Sequence, residues 1–273
     1  MFKYGFSFSF LMRAIPENNL AYPILLRFNT GSSGSGFFLK TNKKVFLITA
    51  KHVLFDERKN LRGAVLELTC QTEKLSDKNV IKYSIVLEEV SKYILYHESS
   101  DVCAIEMGVM SKLVKGKKHV VDHHQGITIS PSSSSVVSVD ARTATKFLKD
   151  VFISNDVFMY GYPSTLGFRH SPQFDYEAPL LRKGIIANIY ASKGTIILDC
   201  PSYYGNSGGP VVEVSVNGLV SEHKVVGVIS QFIPFVEEWV NNKSGLKNIN
   251  SSNSGYSVAV SMDEVFKLIN YGG

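Results

Sequence analysis

The chain has 273 residues, enough to bury a substantial core as one large domain or two packed subdomains. Its 44% hydrophobic and 19% charged residues are ordinary for a globular protein and exclude disorder as the main state. A net charge of +5 is mild for this length, and no run of residues approaches transmembrane length, so neither a nucleic-acid nor a membrane partner is expected.

The chain opens on MFKYGFSFSFLMRAIPENN, where a lysine and an apolar patch broken by Gly and Ser make only a weak signal-peptide pattern. Short β-rich runs follow: 22-YPILLRF-28, 36-GFFLK-40, 44-KVFLITA-50, 63-GAVLELTC-70, 80-VIKYSIVLEE-89 and 102-VCAIEM-107. They are rich in Val, Ile, Phe and Tyr and bounded by turn formers or lysines. The Gly-rich 31-GSSGSG-36 lacks the Lys-Ser/Thr of a phosphate loop and reads as a turn entering a strand.

From residue 113 to 150 the strand signals lapse. The basic run 112-KLVKGKK-118 reads as a solvated connector, His119, His123 and His124 beside Asp122 as surface residues rather than metal ligands, and 130-SPSSSS-135 as an exposed loop. A further turn or two of helix is expected over 141–150. Strands resume at 156-DVFMYGY-162, 184-GIIANIY-190, 194-GTIILDC-200, 210-PVVEVSV-216 and 224-KVVGVIS-230. The chain closes on a short helix after Ser261, where Glu264 completes a capping box ahead of Val265, Phe266, Leu268 and Ile269. This spacing indicates an all-β barrel or sandwich, divided into a β unit over 1–112, a connector over 113–150 and a second β unit over 151–273.

Cys70, Cys103 and Cys200 cannot all pair, and their spacing matches neither a zinc site nor a disulfide framework. Cys103 and Cys200 read as small buried residues. A reducing, cytoplasmic compartment is expected, with secretion or a periplasmic location as the alternative. His97 and His170 fall in loop-like contexts and are expected at the surface, near the cleft.

The hexapeptide 205-GNSGGP-210 places one hydroxyl among backbone-permissive residues, which either forms a tight turn or presents Ser207 as a nucleophile. A serine nucleophile needs a base, and the base needs a carboxylate to hold its tautomer. His52 stands where the strand 47-LITAKHVL-54 ends, and Asp101 immediately precedes the apolar run after 99-SSD-101. The α/β-hydrolase elbow shares the G-x-S-x-G form, but it needs a helix after the serine, and here Pro210 opens a strand.

The blocks TAKHV (49–53), SSDVCAIE (99–106) and GNSGGP (205–210), in this order, resemble the catalytic blocks of trypsin-like, chymotrypsin-fold serine peptidases. The form is closest to the compact bacterial branch that includes the high-temperature-requirement proteases. That branch carries an aspartate eight residues before the nucleophile, where Asp199 stands.

The resemblance covers roughly residues 20 to 270 and implies two antiparallel six-stranded β-barrels with the active site between them. It implies Ser207 as nucleophile, His52 as general base and then acid, Asp101 as the residue orienting His52, and the N–H groups of Gly205 and Ser207 as the oxyanion hole. It further implies a specificity pocket with Pro201 and Ser202 near its floor, beside Tyr203 and Tyr204, and a wall of Ser230, Gln231 and Phe232 that pairs with substrate backbone.

Lys51, Tyr203 and Tyr204 depart from the residues usual in the animal enzymes. No carboxylate stands at the expected floor, so a small or apolar residue is expected at the cleaved position. The function implied is hydrolysis of peptide bonds in a protein or peptide substrate, without metal or cofactor. The alternative is an inactive peptide-binding module on the same scaffold.

Overall fold

The computed structural model describes Asn19 and residues 21–72, 80–111, 121–130, 136–164, 172–173, 175–217 and 220–272. The N-terminal stretch, the run 112–118, His119, the serines of 131–135 and His170 lie outside the described residues.

Strand alternation explains the architecture. In β1 (Pro23–Phe28), Ile24, Leu26 and Phe28 point to one side. In β2 (Ser33–Lys40) and β3 (Lys44–Thr49) both faces are apolar. Phe38, Val45 and Leu47 join Ile24 and Leu26 inside the first sheet, whereas Phe37, Leu39, Phe46 and Ile48 point outward. A strand apolar on both faces needs cover on both.

The outward set finds it in Phe158, Tyr160, Val212, Val225 and Val228 of the second unit and in Val265 and Phe266 of the C-terminal helix. A third cluster, including Val157, Met159, Ile196, Leu198, Val211 and Ile229, fills the second unit. The core therefore has three parts, one inside each curled sheet and one in the seam between them.

The first sheet is built on six strands of six to eight residues: β1, β2, β3, β4 (Val65–Gln71), β5 (Val80–Val86) and, after the three-residue β6 (Ile94–Tyr96), β7 (Cys103–Met110). Their order is β7-β3-β2-β1-β4-β5. Three more short strands extend it, β8 (Val121–His123) on β7, β9 (Ile127–Ser130) on β5 and β10 (Val139–Asp140) parallel to β2. The first sheet thus has ten strands where six were expected, the extra four being two to four residues long.

The second unit is a closed six-stranded barrel of β11 (Asp156–Gly161), β12 (Leu180–Tyr190), β13 (Thr195–Asp199), β14 (Pro210–Asn217), β15 (Val220–Val240) and β16 (Lys247–Ser261), in the order β11-β12-β13-β16-β15-β14. With the one-turn α1 (Lys51–Leu54) and α2 (Met262–Leu268), the fold is all-β with two curled sheets and a short C-terminal helix.

Several expectations need correcting. The stretch read as connector holds β8, β9 and β10. The chain crosses between units more tightly, from Ala141, whose N–H donates to the Lys40 carbonyl, to Thr145, which bridges Val225. His123 and His124 are half-buried rather than free at the surface: His123 packs edge-on against Tyr83, and His124 stacks on Tyr93 with Nε2 3.1 Å from Glu106 Oε1. Only a single turn of 3-10 helix, Leu148–Asp150, forms in 141–150.

Ser261 does stand at the N-cap of α2, but its hydroxyl makes no hydrogen bond and no capping box closes. The Glu264 carboxylate is taken instead by His97 at 3.0 Å and Lys267 at 2.6 Å.

The crossing is pinned by one buried carboxylate. Glu213, fully buried on β14, accepts from Lys146 Nζ at 2.6 Å, Asn155 Nδ2 at 2.7 Å and the Phe152 N–H at 3.1 Å. Removing one partner of a buried pair strands the other charge. Lys146→Met is therefore expected to lower the unfolding free energy by about 3–5 kcal/mol, read as a fall in the urea midpoint. An unmoved midpoint would show that the pair does not hold the crossing.

Candidate active site

Three separated pieces of chain meet where the two units face each other. β3 ends at Thr49, and the chain turns through α1, which buried Val53 and Leu54 anchor while His52 is left half exposed at the cleft. Asp101 lies at the foot of β7, in a turn held from both sides. Within that turn His97 Nδ1 accepts from the N–H groups of Ser99 and Ser100, at 3.3 and 3.0 Å. Lys51 Nζ donates to the His97 carbonyl at 2.7 Å, and His97 Nε2 lies 3.0 Å from Glu264 Oε2. His97 is thus largely buried rather than free at the surface; it holds this turn and borders a cavity that His52 and Ser230 also line.

Asp101 engages His52 with both oxygens. Oδ1 accepts from the His52 N–H at 3.0 Å, and Oδ2 lies 2.7 Å from His52 Nδ1 and accepts from the Ser230 hydroxyl at 2.6 Å. Burial acting alone would raise the Asp101 pKa. The His52 ring, the Ser230 hydroxyl and the His52 N–H outweigh it and hold the carboxyl below its usual value. An ionised Asp101 can only accept a hydrogen bond, so it favours the tautomer with the proton on Nδ1, which leaves the lone pair of the neutral ring on Nε2.

Ser207 sits in the turn entering β14, and the first sheet clamps that turn. Buried Ser35 donates its hydroxyl to the Gly205 carbonyl at 2.6 Å and its N–H to the Ser207 carbonyl at 2.8 Å; its Oγ accepts from the Tyr162 N–H at 3.0 Å. On the other side the Gly208 N–H donates to the Ile229 carbonyl at 2.7 Å.

Two glycines in the turn have backbone reasons. Gly205 has φ +94° and a Cβ there would collide with the Tyr162 carbonyl. Gly208 has φ +88° and a Cβ would collide with the Ser35 carbonyl and the Thr49 hydroxyl. The Tyr204 carbonyl accepts from the Ser164 N–H at 2.7 Å. Since the peptide is planar and trans, the Gly205 N–H on the same peptide points away from Ser164.

The Ser207 hydroxyl donates to the Ser230 carbonyl at 2.9 Å. His52 and Ser207 line one groove of about 450 Å³ together with Ser202, Tyr203, Tyr204 and Gly205, and with Ser230, Gln231 and Phe232 on the opposite wall. Tyr204 and Phe232 meet edge-to-face at 5.8 Å. Of the expected pocket residues, Pro201 is not among those lining the groove. Ser202 is 2% exposed, and its carbonyl is held by Asn253 Nδ2 at 2.6 Å. No carboxylate lines the groove among the described residues.

The sequence alone does not single out Ser35, Thr49 or the His97–Glu264 pair, because each acts through partners more than a hundred residues away or through backbone. Ser230 reads from sequence only as groove wall, and no local pattern announces that its hydroxyl donates to Asp101.

The three cysteines are buried and unpaired. Burial pushes the Cys200 thiol up to about 11 and raises the Cys70 and Cys103 thiols well above the usual thiol range, which keeps all three protonated and inert at neutral pH.

A family model described as a trypsin-like peptidase domain matches residues 34–220, which include all three blocks around His52, Asp101 and Ser207. No curated protein matches the chain.

Proposed function

Because this chain belongs to the trypsin-like peptidase domain family, we propose that it is a serine endopeptidase that cuts a polypeptide through a Ser207–His52–Asp101 triad and an acyl-enzyme. The observation that carries the reading is the bonding of Asp101 to both the ring and the backbone of His52, at 2.7 and 3.0 Å, with His52 lining the same groove as Ser207.

The chemistry follows from that arrangement. With Nδ1 committed to Asp101, Nε2 of the neutral ring is the acceptor for the Ser207 proton as Oγ attacks the scissile carbonyl. In the free protein Oγ rests on the Ser230 carbonyl, and a rotation about χ1 redirects it to the ring once substrate enters. The carbonyl oxygen, now negative, is met by the N–H groups of Gly205 and Ser207. His52 then returns the proton to the leaving amine, and water repeats the sequence to release the acyl group.

The groove favours a small or apolar side chain at the cleaved position, since no carboxylate among the described lining residues would draw Lys or Arg into it. Asp199, exposed on β13 eight residues before Ser207, supports placing the chain within the compact bacterial branch of the family. Three buried unpaired thiols support a reducing, cytoplasmic setting.

A fluorophosphonate probe, which phosphonylates an activated serine with loss of fluoride, tests the reading. The wild-type chain is expected to label at Ser207 and Ser207→Ala to remain unlabelled. A wild-type chain that neither labels nor cuts unfolded protein would instead be a peptide-binding scaffold.

A further inference from the structure

β15 is 21 residues long, yet its neighbour β14 accompanies it only as far as Val228. Beyond that point β16 continues to pair along one edge to Val240, and among the described residues no strand covers the other. This open edge starts in the groove, with Ser230, Gln231 and Phe232, and runs outward on a two-stranded arm of residues 234–240 and 247–253.

The arm is unusually apolar for a ribbon without a core. Phe235 is 52% exposed, Trp239 66% and Ile249 65%. Phe235 and Trp239 share one face, four residues and about 13 Å apart, with Glu237 between them. Their cross-strand partners are Ser252 and Asn248, so neither ring is covered by an apolar neighbour on the facing strand. An exposed apolar surface of this kind marks a contact surface, and an open strand edge is a liability unless something uses it. Pro234, at the base of the arm, removes one N–H from the strand and separates the groove part from the outer part.

We propose that the arm is a substrate-capture surface, on which an unfolded polypeptide leaving the groove along β15 lays apolar side chains against Phe235 and Trp239. The occupant is assigned by continuity, because a single strand carries both the groove wall and the two rings. From Phe232 to Trp239 is seven residues, or about 23 Å, so the arm reads sequence well outside the cleaved position. Glu237 favours a basic residue between the two apolar ones. The proposal rests on the endopeptidase reading, but its test need not.

Trp239 is the only tryptophan in the chain, so its emission reports on the arm directly. Full-length Ser207→Ala, which retains the arm, is titrated with reduced, carboxymethylated ribonuclease A, an unfolded chain free of tryptophan. A saturable shift of emission to shorter wavelength is expected. In the wild-type background, Phe235→Ser with Trp239→Ser is expected to raise KM for the same unfolded chain about tenfold, while fluorophosphonate labelling of Ser207 proceeds at an unchanged rate.

Emission that does not move at saturating probe, or an unchanged KM, overturns the proposal. So does an emission shift that follows protein concentration alone, which would make a second copy of the chain the occupant. Were the wild-type chain to resist labelling, the endopeptidase reading would fail while the Ser207→Ala titration still reported whether the arm binds.

Discussion

Ser207→Ala is expected to lower kcat on an unfolded protein about 10⁶-fold, with KM and the fold nearly unchanged. The size follows from the division of labour in the site. The hydroxyl is the only group removed, and in the proposed mechanism its oxygen is the atom that forms the covalent bond; without it His52 and Asp101 would have nothing to activate. The turn that carries it is not held by that hydroxyl. Ser35 grips it through the Gly205 and Ser207 carbonyls, and β15 grips it through the Gly208 N–H, and all of these hydrogen bonds survive the substitution.

Only the hydroxyl's own donation to the Ser230 carbonyl disappears, a bond worth about 1 kcal/mol. The proposed oxyanion donors and the groove remain, so turnover should still exceed the uncatalysed rate by about 10³ or more. Single-turnover cleavage of a quenched-fluorescent polypeptide, paired with an equilibrium binding titration, separates the two quantities. A variant retaining more than about one part in a hundred of kcat would place the nucleophile elsewhere.

The three blocks around His52, Asp101 and Ser207, the residues proposed as a triad, stand out in the sequence because nucleophilic chemistry constrains residue types and local backbone at once. GNSGGP needs its glycines, as the positive φ at Gly205 and Gly208 confirms, and TAKHV ends a strand whose alternation is strong. β2, β3 and β11 are legible for a related reason: apolar on both faces, they fill a barrel on one side and the seam on the other.

What escapes a sequence reading is structure whose stabilisation is not local. β16 begins KNINSSNS, a polar run with poor strand propensity, and it becomes a strand only because β15 lies beside it over twelve paired positions. β8, β9 and β10 are two to four residues long, too short for alternation to show, and exist as edges added to longer neighbours. The capping box after Ser261 fails for a similar reason: the local pattern is correct, but Glu264 is claimed by His97, which is 167 positions away in sequence, and by Lys267. A local rule is overridden by the turn that positions Asp101.

Asp101→Asn is expected to cut kcat about 10⁴-fold while leaving the fold intact, and the reason is the direction of one hydrogen bond. The carboxylate accepts three times: from the His52 N–H at Oδ1, and from His52 Nδ1 and the Ser230 hydroxyl at Oδ2. An asparagine keeps the first by placing its carbonyl oxygen there. Its NH₂ then occupies the other position and can only donate, so Nδ1 must become an acceptor and the ring proton moves to Nε2. The Ser230 hydroxyl rotates to accept from the second N–H of the amide. The side chains stay in place, but the nitrogen facing Ser207 now carries a hydrogen and cannot take another.

The same substitution has a second signature in stability. Because the Asp101 pKa is held below that of the unfolded chain, its contribution is fully present above about pH 4 and is lost as pH falls through the folded value. The gap in unfolding free energy between wild type and Asp101→Asn should therefore be widest at neutral pH and close in acid. Urea denaturation of both proteins at pH 7 and pH 3, alongside kcat, checks the pair of expectations. A variant with near-normal kcat would mean that Asp101 does not set the His52 tautomer, and a gap that widened in acid would mean that its carboxyl is not held in the ionised form by these partners.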